Sequence, residues 1–407
     1  MMSIFISHVN SLLVQRGPKC LSFRMHSSLL NADQGGIKEA ALQLKRGGLV
    51  AFPTETVYGL GGDALNAASC RRIFHVKRRP ASDPLIVHVS DFEETHSLFA
   101  YQSDAPQGRA VVKALCAAFW PGPLTVIHAA SARVPPEVTA NTGYVGVRSP
   151  QHPIARTLLR VVGVPLAAPS ANRFGHVSPT SYEHVIADLG DENLFILRDD
   201  PKESGGCLLG IESTVCRVGQ TGERVDVLRA GFVTPSMIGD VLVQAGIRDV
   251  HVVLSTALSG MEPEEEEGQG ERGKEGGAGG AVAPGQMLKH YAPDIPTSIL
   301  SHSLVSSGGA TSSATLARLV KGAVVIDFGG KLHDCAAVAC AGTYIDLSPT
   351  GNAEEACHRV FAVLRQAEET GGTRLLLPDL RREKEGSELV LALWERLHRA
   401  ASGRFEM

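Results

Sequence analysis

Apolar positions along this chain switch repeatedly between two periods. Ile37, Ala40, Ala41, Leu42 and Leu44 recur at helical spacing, and Gly47-Gly48 halts the pattern. Leu49-Val50-Ala51-Phe52 follows as an unbroken apolar block closed by Pro53, which predicts a strand. The alternation continues with a helix over 67–77 and a buried strand over 85–89. Further strands are expected over 124–128, 144–148, 166–168, 194–197, 213–217 and 225–228, with helices over 152–162, 180–189 and 235–245 between several of them. Such a mixture predicts an α/β or α+β domain on a large mixed sheet. Towards the end, a strand over 323–328, a helix over 352–370, a strand over 374–377 and a helix over 386–401 predict a small α/β unit, Rossmann-like in order. It has no GxGxxG, so a dinucleotide is not indicated.

Composition adds boundaries to this pattern. The 407 residues carry a formal net charge of −4, unevenly distributed. Residues 1–32 hold Arg16, Lys19 and Arg24 and no acid, whereas 262–275 hold seven Glu against Arg272 and Lys274. Residues 33–235 balance at 20 basic and 20 acidic side chains. An acid-poor, Arg- and Ser-containing start is the composition of a mitochondrial transit peptide; a disordered extension is the alternative. Localisation is therefore expected to be cytoplasmic, mitochondrial or both. The stretch 261–284 has like-charge repulsion, seven Gly and no aromatic to bury, and is expected to be a mobile tether. These breaks divide the chain into a leader or disordered segment (1–32), a catalytic domain (33–246), a flexible linker (247–293) and a C-terminal α/β domain (294–407). No apolar run reaches the roughly 18–20 residues of a membrane helix. The eight Cys form no CxxC pair, so neither a zinc ribbon nor a disulfide scaffold is indicated, and the thiols are expected to be mostly reduced and buried.

Candidate chemistry gathers where the predicted strands end. Pro53 to Gly62 offers hydroxyls, a carboxylate and glycines that would let a ligand approach the backbone, although a plain turn explains the glycines equally. Lys77-Arg78-Arg79-Pro80 suits a polyanion, or merely complements the end of a helix. His88 lies in an apolar strand, where a core histidine is the plainer reading. Ala168-Pro169-Ser170-Ala171-Asn172 and Ser178-Pro179-Thr180 supply donors beside a helix start, as a cap or as a phosphate site. Arg148 and Arg229 each end a strand, and Glu212-Ser213-Thr214 opens one. Together these sets predict an anion-binding cleft.

The same segments, in the same order, resemble the YrdC-type family of threonylcarbamoyl-adenylate synthases. PTETVYGLGG at 53–62, KRRP and DPLIVH within 77–88, FWPGPLT at 119–125 and GVRSP at 146–150 carry the likeness. APSAN and SPT within 168–180, IEST at 211–214 and LRAG at 228–231 continue it. PGQMLKHYAP at 284–293 resembles the entry to the second domain of the long, two-domain form, and ELVLALWERLHRAA its final helix. The resemblance implies a twisted, open mixed sheet with a concave positive face. It also implies an activity: L-threonine, bicarbonate and ATP give threonylcarbamoyl-AMP and pyrophosphate. A separate transferase would then carry the group to adenosine 37 of tRNA. Mg²⁺ would arrive with ATP, held mainly by phosphates and water, and no protein metal site is implied.

Carried over by position, Thr56, His88, Arg148, Ala168 and Ser213 would bind threonine. Lys77, Arg79, Asp83, Tyr144, Ser170, Asn172, Ser178 and Arg229 would bind ATP, with Tyr291 reaching in from the linker and Lys77 and Arg79 as the catalytic contacts to the triphosphate. His290 and Tyr291 would close over the nucleotide as a lid on a tether too long for a rigid domain interface. Three positions depart from the family: Asp83 stands where Asn is frequent, Tyr144 where Thr is common, and Phe174 where a small polar residue is usual. An RNA-holding module is the alternative of another class. The chain has no RNP motif, 5% aromatics and no net positive charge over 33–235, so any tRNA binding is expected to be weak. Carbamoyl transfer in metalloenzyme maturation is the third reading, but the acylphosphatase and zinc-finger segments usual in that version are absent.

Overall fold

The computed structural model describes residues 27–255, 290–306, 310–332, 338 and 341–406. Among them, eleven strands form one sheet: β1 (Ser28–Asn31), β2 (Val50–Phe52), β3 (Gly59–Asp63), β4 (Ile86–His88), β5 (Leu124–Ala129), β6 (Tyr144–Arg148), β7 (Leu166–Ala167), β8 (Phe195–Arg198), β9 (Thr214–Val218), β10 (Arg224–Arg229) and β11 (His251–Leu254). Their order is β1-β8-β2-β3-β7-β4-β6-β5-β9-β10-β11, with parallel and antiparallel pairs mixed. The expected mixed sheet is present.

Alternation along the strands decides what covers each face. Leu49 and Ala51 enter one core with helices Ala67–Lys77, Pro106–Phe119, Tyr182–Leu189 and Pro235–Gln244. Val50 and Phe52 point the other way, into a core with helices Gln34–Lys45 and Pro153–Val162. That second pair of helices covers only half of its face. Over β4, β5, β9 and β10 the same side carries Ile86, Ile127, Val215 and Leu228 as a small apolar patch, with Tyr144 packed against it and no helix in the cluster. This uncovered half-face is where the candidate site lies.

The glycines of 59–62 answer to packing inside the sheet. A Cβ on Gly61 would stand 2.7 Å from Phe52 Cε1, and one on Gly62 3.0 Å from Leu49 Cδ2. All three occupy β3 rather than a turn; Gly61 and Gly62 admit neighbouring side chains, and Gly59 borders the candidate cavity.

Two boundaries shift. Residues 28–31, expected in a leader or disordered segment, form β1 and pair in parallel with β8. Residues 251–254, expected in the linker, form β11 and pair with β10. Both are short edge strands whose partners lie far away in sequence, so the local pattern hardly marks them. Residues 1–26 and 256–289, with most of the expected leader and tether, lie outside the described residues.

The C-terminal unit is an all-parallel sheet: β12 (Thr297–Leu300), β13 (Val324–Asp327), β14 (Thr343–Asp346), β15 (Leu375–Pro378) and β16 (Phe405–Glu406). Its order is β14-β13-β15-β12-β16, so the fourth strand separates the first from the second. A Rossmann order begins 3-2-1-4, and here the last two places are exchanged. Long-range pairing, not local pattern, sets that order.

The two units share a core. Val57, Val177, Ile211, Ala230 and Tyr291 pack with Val360, Phe361 and Leu364 of helix Ala353–Glu369 and with Leu393 and Leu397 of helix Glu388–Ala400. Arg365 pairs with Asp188 across this contact at 3.0 Å, both buried. A Cβ on Gly210, whose φ is +68°, would stand 2.3 Å from the His358 carbonyl oxygen. The expectation that no rigid domain interface forms is thus corrected: apolar area and buried ion pairs join the units whatever the length of the tether. The free cysteines Cys70, Cys116, Cys216 and Cys357 are buried, and Cys207 is half-buried. No helix among the described residues is long and apolar enough to cross a membrane.

Candidate active site

Helix Ala67–Lys77 ends because Arg78 adopts a left-handed conformation, φ 54°, and Pro80 follows. The turn leaves Arg78 exposed and sends Lys77 and Arg79 inward, both buried. β4 places Ile86 and His88 on the uncovered face, and its pairing with β6 sets His88 opposite Arg148. β10 contains an irregularity between Val227 and Arg229, so that Arg229 lies opposite Val215. The bulge turns Arg229 onto the same face as the other cations.

These residues surround one cavity with about 50 Å³ of enclosed space. Thr54, Thr56, Arg79, His88, Arg148, Ala168, Ser170, Glu212, Ser213, Arg229 and His290 border it. Arg148 Nη2 pairs with Glu55 Oε1 at 2.6 Å and Nη1 donates to Thr56 Oγ1 at 3.0 Å. Its Nε and the Nδ1 of His88 have no hydrogen-bond partner. Arg229 donates to the Ser213 carbonyl oxygen at 3.0 Å and to Ser213 Oγ at 3.1 Å, while Ser213 Oγ lies 2.8 Å from Thr125 Oγ1. Arg79 pairs with Asp83 at 3.0 Å and donates to the Pro84 carbonyl at 2.8 Å.

All five expected threonine residues therefore border the cavity, with Arg79, Ser170 and Arg229 of the expected nucleotide set. The others stand behind the wall. Lys77 Nζ donates to the carbonyl oxygens of Ser170 (2.6 Å) and Asn172, so it braces the loop from below. Asn172 binds the His176 carbonyl within that loop at 2.7 Å. Asp83 serves Arg79. Ser178 does not cap the next helix, a role Ser181 takes; its hydroxyl donates to Glu212 Oε1 at 2.6 Å. Tyr144 lies on the apolar patch with the Arg217 guanidinium 5.9 Å from its ring centroid. Tyr291 is buried against Phe361, ring centroids 5.1 Å apart, and its neighbour His290 is the residue that reaches the cavity. Phe174 bridges Arg79, 5.9 Å away, and His290, 6.2 Å away.

The electrostatics favour an anion. Burial and then the neighbouring Arg79 push the Lys77 ammonium well below its ordinary range. Burial and then Arg79 do the same to His290, and burial with Arg148 lowers His88 to about 3. The groups inside face more positive charge than they can all hold. Three carboxylates border or back the site, and each is committed: Glu55 to Arg148, Asp83 to Arg79, and Glu212 to Ser178 and Arg396. Motif reading did not name Glu55 or Glu212 as partners, although both sit inside the quoted segments.

A family signature described as "Telomere recombination" matches residues 42–231, and one described as "Threonylcarbamoyl-AMP synthase, C-terminal domain" matches 233–402. A threonylcarbamoyl-AMP synthase of Pyrococcus abyssi is 32% identical over 90% of this chain and 94% of its own length. The chain belongs to the threonylcarbamoyl-AMP synthase family. The Bacillus subtilis threonylcarbamoyl-AMP synthase is 35% identical over 66% of this chain and 68% of its own. A crystal structure of P. abyssi Sua5 complexed with L-threonine superposes with a TM-score of 0.71 at 30% identity, covering 93% of this chain and 99% of that one. That synthase fold includes the C-terminal unit, so the shared core described above belongs to the two-domain form of the family.

Proposed function

We propose that this chain condenses L-threonine, bicarbonate and ATP into threonylcarbamoyl-AMP and pyrophosphate. The observation that carries the reading, in a member of this family, is a single cavity collecting the Arg79, Arg148 and Arg229 guanidiniums among the hydroxyls of Thr54, Thr56, Ser170 and Ser213. Two anionic groups, an amino-acid carboxylate and a triphosphate, need several cations held apart by donors and kept dry. Arg148 receives the threonine carboxylate, with Thr56 and Ser213 beside it, and His88, held neutral, accepts from the hydroxyl or the amine. Ala168 closes the pocket around the side chain. Arg79, Ser170 and Arg229 form the triphosphate end, with Lys77 and Asn172 bracing its loop and Asp83, Tyr144 and Ser178 supporting it.

The threonine amine attacks the carbon of CO₂ and gives up a proton, or attacks that of bicarbonate, whose C–O bond breaks as water leaves with that proton, and forms a carbamate. A carbamate oxygen then attacks the α-phosphorus, and pyrophosphate leaves with the electrons of the broken P–O bond. The side chains contribute position and charge, not a covalent intermediate. Because the three nearby carboxylates already have cationic partners, Mg²⁺ fits here as an ion carried by the phosphates and water. It would screen the triphosphate.

His290, in the segment that joins the two units, borders the cavity beside Arg79 and Arg229. The 290–293 segment therefore acts as a lid that opens for loading. The product, an acyl-phosphate anhydride, is consumed by a transferase acting on tRNA, and binding of tRNA by this chain itself is weak. The acid-poor residues 1–26 direct part of the protein to mitochondria; a reporter carrying them that stays wholly cytosolic would remove this point. The central test is pyrophosphate release from ATP. It is expected only when threonine and bicarbonate are both present, and release without either would sink the assignment.

A further inference from the structure

Arg396 belongs to the C-terminal unit, in helix Glu388–Ala400, yet its guanidinium serves the catalytic domain. It is 1% exposed. Nη1 donates to the Ala230 carbonyl oxygen, Nε lies 3.4 Å from Glu212 Oε2, and Nη2 reaches the Glu212 carbonyl oxygen at 3.5 Å. The adjacent Glu395 accepts from the Ala230 amide at 3.4 Å. Ala230 follows Arg229 and Glu212 precedes Ser213, the two residues that bind each other in the cavity wall. The second carboxylate oxygen of Glu212 holds Ser178. Arg396 itself does not border the cavity.

We propose that Arg396 is a positioning residue for the active site: from the C-terminal unit it clamps the 211–214 and 228–231 segments together, so that Ser213 and Arg229 face the substrates in register. The inference rests on the functional reading above. A planar fork suits the task, because three oxygens on two segments must be met at once from one fixed point; an ammonium at the same place meets fewer. Without the fork, the buried Glu212 carboxylate loses its ion-pair partner and is drawn towards Arg229, which pulls its own segment and Ser178 out of place.

The test compares the full chain with Arg396→Met and Arg396→Lys. Threonine- and bicarbonate-dependent pyrophosphate release gives KM for threonine and ATP and kcat, and thermal unfolding gives Tm. Arg396→Met is expected to raise both KM values by about 10-fold or more, and Arg396→Lys by less, since losing a buried charged contact is a change of that size. A purely structural role lowers the folded fraction, and with it the apparent kcat, at unchanged KM; that result overturns the proposal. If Arg396→Met does not fold, Arg396→Lys decides: raised KM at wild-type Tm supports the clamp, and wild-type KM refutes it. A crystal structure of Arg396→Lys gives a readout independent of turnover. Loss of the Arg229–Ser213 hydrogen bonds, 3.0 and 3.1 Å in the intact chain, supports the proposal, and their persistence overturns it. A wild-type chain that releases no pyrophosphate fails the functional reading, while the crystal structure still judges the clamp.

Discussion

The proposed function gives Arg148 a second duty beside its pairing with Glu55, and one substitution separates the two only with a second. Its guanidinium is buried, ion-paired to Glu55 at 2.6 Å and bonded to Thr56 at 3.0 Å. Arg148→Met removes the cation assigned to the threonine carboxylate. A hydrogen bond to a charged group is worth about 1.5–3 kcal/mol, so kcat/KM for threonine should fall about 10- to 150-fold. The same change leaves Glu55 buried with the Gln151 amide, 3.0 Å from Oε2, as its remaining partner. Breaking a buried pair from one side costs about 3–5 kcal/mol of stability. The double variant Glu55→Gln/Arg148→Met removes the orphaned charge, and should recover most of the lost stability but none of the threonine response. Thermal unfolding and threonine titrations of pyrophosphate release on the four proteins of the cycle give both quantities. If the double variant regains wild-type KM for threonine, Arg148 serves only to neutralise Glu55, and its assignment to the substrate is wrong.

Four other outcomes are expected. Alanine at Lys77 or at Arg79 should each lower adenylate formation about 30- to 1,000-fold with the fold retained by circular dichroism. Tyr291→Phe should leave both Tm and the KM for ATP unchanged, since the buried hydroxyl has no hydrogen-bond partner and stands behind the cavity wall; a raised KM would place it at the nucleotide. Gly61→Ala drives a methyl group against Phe52 and should cost about 1–3 kcal/mol by denaturant unfolding. Burial disfavours charge on His176, but hydrogen bonds to Asp188 and Glu368 outweigh it and raise its pKa from 6.5 to about 9. Because the folded value is the higher, its stabilising contribution is full below about pH 6.5 and disappears as pH rises through about 9. A Tm–pH curve should decline over that window, and more shallowly in His176→Gln.

What the sequence made legible followed from local patterning. The apolar block at 49–52 became a strand between two helix-covered cores, the block at 124–128 one that packs on helices on one face and sets Ile127 in the small apolar patch on the other, and Ile86 and His88 share a face by alternation alone. Strand ends project the cavity residues together, which made a cleft legible, and the family resemblance named its residues. Three things were hidden for physical reasons. The bulge that aims Arg229 depends on its pairing with Val215, which no local pattern carries. The roles of Lys77, Asp83 and Ser178 as braces depend on burial, and a cation at a helix end looks the same whether it points inward or outward. In helix Glu388–Ala400 the polar residues Glu395, Arg396, His398 and Arg399 alternate with apolar ones in the manner of a solvated stripe, yet all four are buried. Glu395 and Arg396 meet the catalytic domain instead of water, His398 packs on Trp394 and Phe405 of its own unit, and only tertiary contact distinguishes such a stripe from a solvated one.

The eleven-stranded sheet ends at each margin in a short strand from outside the segment that carries the family motifs: β1 beside β8, and β11 beside β10. Each covers its neighbour's row of backbone donors and acceptors and leaves only a short edge of its own. Any amino-terminal processing of this protein would consequently have a limit. A protease that removes residues up to His26 leaves β1 in place, with Ser27 and Ser28 bonded to the Gly190 and Leu194 carbonyls. A cut after residue 32 strips β1 and bares the edge of Phe195–Arg198 to self-association.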